Sequence, residues 1–80
     1  MNTEELELIK YIITKIEKSK LEKRSIERDI EEVEEKYKNI EYDNKFFQEI
    51  NLLEGIKVQL TNDINHYKMD IKNILEYGNA

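Results

Sequence analysis

Apolar residues along this chain recur three and four positions apart. In the first half they fall at Ile9, Ile12 and Ile16, then at Ile26, Ile30, Val33, Tyr37 and Ile40. In the second half they fall at Phe46, Ile50 and Leu53, then at Leu60, Ile64, Tyr67, Ile71 and Ile74. This is the spacing of one helix face, and each half keeps a single heptad frame. Strand signals are missing: no alternating β-branched run occurs, and no Asn-Gly or Asp-Gly pair. Proline is absent, and glycine occurs only at Gly55 and Gly78.

One interruption falls at the middle. The stretch Asn39-Ile40-Glu41-Tyr42-Asp43-Asn44 is rich in turn and capping residues. Asp43 or Asn44 is suited to cap a second helix. Register strengthens the reading. In an antiparallel helical pair, an a residue of one arm lies level with a d residue of the other. Pairing residues whose numbers add to 83 satisfies this in every layer, from Ile9 with Ile74 to Tyr37 with Phe46. The midpoint then falls between Glu41 and Tyr42, inside the turn-rich stretch. Of the eighteen seam positions so defined, fifteen are apolar. The pattern predicts a single all-α domain over 1–80, an antiparallel two-helix coiled-coil hairpin with a helix over 3–38, a turn over 39–44 and a helix over 45–77. Each arm should be about 50 Å long at ~1.5 Å per residue. The competing reading is one unbroken helix in an intermolecular coiled coil.

The ends carry matching signals. Asn2 can cap the first helix, with Glu5 three residues on, and Glu4, Glu5 and Glu7 complement the positive helix terminus. Gly78 after Tyr77 is suited to stop the second, and Asn79-Ala80 should fray.

Three seam positions are polar: Ser19, Lys23 and Lys57. The lysine stems can pack while their ammonium groups reach nearby Glu or Asp. Polar seam residues can also fix register and oligomer state, or loosen the waist of the rod. Gly55 sits at an outer position, where it disfavours helix by ~1 kcal/mol relative to alanine. Around it lie apolar residues that the seam does not use: Leu52, Ile56 and Val58, with Phe47 nearer the turn. A second off-seam set, Leu6, Leu8, Ile13, Leu75 and Tyr77, lies at the open end. Such a face is wider than a two-stranded rod requires. It calls for a cover, either a second copy completing a four-helix bundle or a groove on another protein.

Charge alters the picture further. The chain has 18 acidic and 13 basic residues and a net charge of −5, which argues against a sequence-independent grip on phosphate. Five basic and two acidic residues lie between Lys15 and Arg24, and six acidic and one basic between Glu27 and Glu35. The acidic shoulder could steer a basic protein surface or mimic nucleic acid in a channel. The candidate protein-binding residues are therefore Phe47, Leu52, Ile56, Val58, Leu6 and Ile13, with Glu31, Glu32, Glu34 and Glu35.

Catalytic and cofactor signatures are wanting. There is no cysteine, which fits a reducing compartment, and no phosphate-binding or dinucleotide loop. Asp63 and His66 have the spacing of a di-iron ligand pair, but one outward copy does not make that site. The size and shape resemble the aspartyl-phosphate phosphatases of sporulating bacteria. Their Ser-Gln-Glu-Leu-Asp-like signature on the second helix is missing here, since Ser19 and Ser25 both fall in the first arm. No apolar run approaches a membrane span. The expectation is a cytoplasmic, non-enzymatic, cofactor-free protein that pairs with itself and binds a larger protein as a regulator or inhibitor. Neither membrane nor nucleic acid is expected as a partner. The Lys, Glu, Ile and Asn bias associates such a format with phage or mobile elements. The alternative is a structural oligomerisation or spacer element.

Overall fold

The computed structural model describes residues 2–38 and 44–77. Two helices of equal length, α1 (Thr3–Lys36) and α2 (Asn44–Tyr77), pack against each other along their length as a helical hairpin. Residues 39–43 of the expected turn, with Asp43 as a cap, lie outside the described residues, as do Gly78 and the tail.

Local chemistry sets the described helix ends. Asn2 has extended backbone geometry, and its Oδ1 accepts the Glu5 N–H at 2.8 Å. One orphan donor of the first turn is thereby satisfied. The reciprocal half of a capping box is not made, and Glu5 Oε1 is buried without a hydrogen-bond partner. At the other end α1 stops two residues before the expected Lys38. Tyr37 leaves helical geometry at φ −100° and ψ 7°. Its N–H still reaches Val33 O at 3.1 Å, and Lys38 N–H turns to Glu35 O at 3.3 Å. This tightened last turn is a common way to satisfy terminal carbonyls. It accompanies the packing of the Tyr37 ring on Phe46, edge to face, with centroids 5.2 Å apart. Asn44, the alternative to Asp43 as a cap, is the first helical residue of α2.

The seam follows the expected register. All eighteen of its positions are buried or half-buried. Ile12, Ile16 and Ile64 form the core, with Tyr67, Ile71 and Ile74 packed against it. Tyr37 and Phe46 close the turn end, and both are buried. An unbroken rod would not bring Ile12 to Ile71 or Tyr37 to Phe46 within one chain.

The shape is a thin rod whose Cα atoms span 60 × 16 × 12 Å. It exposes 6397 Å², whereas a globular chain of this mass exposes about 5,100 Å². No side chain is completely sealed from solvent among the described residues. A single seam of this kind makes a marginal core. No described helix is long and apolar enough to cross a membrane.

Candidate interaction surfaces

An antiparallel seam has two flanks, and they differ in chemistry. Heptad position e of one helix faces e of the other, and g faces g. Continuing the seam's frame outward sorts the remaining residues onto two broad faces. A groove opens along each flank, and its lining fits this sorting.

The first face carries Leu6, Ile13 and Leu75 near the open end, Val58 at mid-rod and Phe47 near the turn. Its groove, of about 300 Å³, lies at mid-rod between Lys20, Lys23, Arg24 and Glu27 of α1 and Thr61, Asn65 and Lys68 of α2. Four cations therefore line one concavity in an acidic chain. Among the described residues no carboxylate comes within 4 Å of any of them; the ion pairs are Lys10–Glu7 and Lys38–Glu35, at 3.9 and 4.0 Å and both exposed. Such surface pairs contribute little to stability. Toward the turn the same face changes sign, with Glu27, Glu31 and Glu34 from α1 and Glu54 from α2.

The second face is apolar at its open end. Leu8 and Tyr11 of α1 rim a groove of about 460 Å³ whose floor is Ile12, Tyr67 and Ile74, with Asp70 and Asn73 at its polar edge. Tyr11 is 59% exposed. The Lys15 ammonium sits 5.3 Å from its ring centroid, a cation–π contact that favours one ring position. Tyr77, on the same face by the heptad frame, is more exposed still. Leu52 and Ile56 lie on this face closer to the turn. Its charges are mixed along the rod rather than segregated.

By this frame the candidate residues of the two off-seam sets fall on two faces. Phe47, Val58, Leu6 and Ile13 share the first face with Glu31 and Glu34. Leu52, Ile56 and Glu32 belong to the second, and Glu35 points away from both. All six apolar candidates are exposed, from Ile56 at 39% to Leu52 at 67%, and all four glutamates are exposed as well. Sequence reasoning missed Tyr11, Leu21 and Met69, which are also exposed. Tyr11 had a usable signal: it lies three residues from Leu8, on the same helix face. Leu21 and Met69 lie on the outer backs of α1 and α2, where a lone apolar residue carries no message.

The remaining polar candidates have local explanations. Asp63 accepts a hydrogen bond from Gln59 Nε2 at 2.9 Å, while His66 is exposed one turn on. Lys23 and Lys57 are half-buried on the seam. The Glu or Asp partners expected for their ammonium groups are not met, since neither comes within 4 Å of a carboxylate among the described residues.

Fold and surface together define a class: a helical hairpin with one face of opposed charges and one apolar-grooved face. Compared with family models, with curated proteins and with solved structures, the chain shows no significant match.

Proposed function

We propose that this chain is a non-catalytic protein-binding regulator that docks on a larger protein through the open-end groove of its second face. The observation that carries this reading is the exposed pair Leu8 and Tyr11 on the rim of a groove floored by Ile12, Tyr67 and Ile74. Aromatic anchors beside a preformed apolar groove are the usual core of a protein interface. The groove runs along two parallel-sided helices, so the best-fitting occupant is an amphipathic helix of the target. A chain docked there would block whatever that helix otherwise touches. The acidic shoulder adds long-range attraction for a basic target surface.

The test is immobilised wild-type protein set against the Leu8→Ser/Tyr11→Ser variant in extract of the native host. Stoichiometric retention of one large protein by the wild type only, with both forms equally helical, supports docking. Equal retention by both discards the groove. For the shoulder, Glu32→Gln/Glu35→Gln should slow association several-fold at low salt and have little effect at high salt. An unchanged association rate removes steering from the mechanism.

A second reading is a spacer or assembly element. The 60 Å rod favours it. It requires that no target be retained by the wild type at all.

A further inference from the structure

The first face is bipolar along the rod. From the open end to mid-rod it presents Lys10, Lys20 and Arg24 of α1 with Lys68 and Lys72 of α2, interrupted only by Glu17. From mid-rod to the turn it presents Glu27, Glu31, Glu34 and Glu54, and Lys38 at the far end is turned to Glu35. The change of sign falls between Arg24 and Glu27, level with the exposed Val58. Among the described residues, none of these glutamates has a cation within 4 Å, and none of Lys20, Arg24, Lys68 or Lys72 has a carboxylate.

We propose that a second copy of this chain docks on the first face, antiparallel, with the two-fold axis near Val58. Turning one copy end for end sets the basic half of each against the acidic half of the other. A parallel dimer on this face would oppose like charges over its whole length. A two-fold interface is self-complementary by construction, and a surface with one sign change at its centre meets that condition. The concave cluster of Lys20, Arg24 and Lys68 then receives glutamates from the partner. Exposed Val58 sits at the axis, and Ile13 and Phe47 are carried to the same level in opposite copies. The rod is 60 Å long and 16 Å wide between Cα atoms, so a second copy laid along this face can meet it over most of its length. The open-end groove lies on the opposite face and stays free. The inference is therefore independent of target binding and would survive its failure.

Complementary charge reversal tests it. One variant, Lys20→Glu/Arg24→Glu/Lys68→Glu, makes the face acidic; another, Glu27→Lys/Glu31→Lys/Glu34→Lys, makes it basic. Sedimentation at low salt should show a wild-type dimer that weakens as salt rises. Each variant alone should dissociate at least about tenfold more readily, and an equimolar mixture should recover a 1:1 dimer. If a variant alone loses helicity, recovery of circular dichroism on mixing is the same readout. Nitroxides at position 6 then report orientation: roughly 5 nm between copies for the antiparallel arrangement at ~1.5 Å rise per residue, against close neighbours for the parallel one. A monomeric wild type, variants that dimerise like the wild type, or short distances at position 6 would each overturn the proposal.

Discussion

The open end and the waist of the hairpin are built on the same heptad frame, yet they hold together differently. At the open end, Ile9, Ile12 and Ile16 meet Tyr67, Ile71 and Ile74 in consecutive apolar layers, and Ile64, level with Ser19, is buried with Ile12 and Ile16 as one cluster. At the waist, Ser19, Lys23 and Lys57 take three seam positions and are only half-buried. There the stripe narrows, and lysine stems replace branched side chains. The comparison teaches that a repeat can fix the direction and register of two helices without spreading stability evenly along them. The open-end cluster and the Tyr37–Phe46 stack hold the ends, and the waist is spanned between them.

The sharpest way to break this comparison is truncation at both sites. Ile64→Ala removes a side chain that is 7% exposed and packed in the core. It should cost about 2–4 kcal/mol, enough to unfold much of a marginal rod in a urea titration. Ile26→Ala, at a half-buried waist position opposite Lys57, should cost roughly half as much by the same measure. Equal losses would mean the waist is packed as firmly as the open end.

A smaller effect of opposite sign should follow from Lys57→Leu. The side chain is half-buried and its charge meets no carboxylate among the described residues. Leucine would add buried apolar surface worth about 1 kcal/mol, seen as a higher urea midpoint. A lower midpoint would show that the ammonium is needed where it stands, as a setter of register or oligomer state.

The smallest expected change is at Gly55, in the same stretch of α2. An added methyl group there meets nothing within 4 Å, and no glycine among the described residues has positive φ. Gly55→Ala should stabilise by about 0.5–1 kcal/mol through helix propensity alone. A loss in thermal midpoint would mean that the glycine serves a close approach by a second copy or a target.

Much of the molecule can be read from the residues, and the division of the rest is instructive. The heptad spacing, the pairing of numbers that add to 83 and the cap at Asn2 all rest on local or periodic rules, so the seam and the first helix start follow from the sequence. The contact of Tyr37 with Phe46 follows from the same pairing, but the stop of α1 at Lys36, where Tyr37 leaves helical geometry, does not follow from spacing. The distribution of the candidate residues over two faces follows from the same frame. Phe47, Leu52, Ile56 and Val58 are neighbours in the chain, but the seam runs between their faces.

The sequence by itself determined two amphipathic helices and the stripe by which they meet, because burial of a periodic apolar face needs no knowledge of the partner. The tertiary structure decided that the pair closes within one chain and that each flank opens as a groove. The a and d stripe taken alone also serves an unbroken parallel coiled coil. Only the antiparallel closure sets e against e and g against g. That pairing gathers Lys20, Arg24 and Lys68 into one groove and Leu8, Tyr11 and Tyr67 into another.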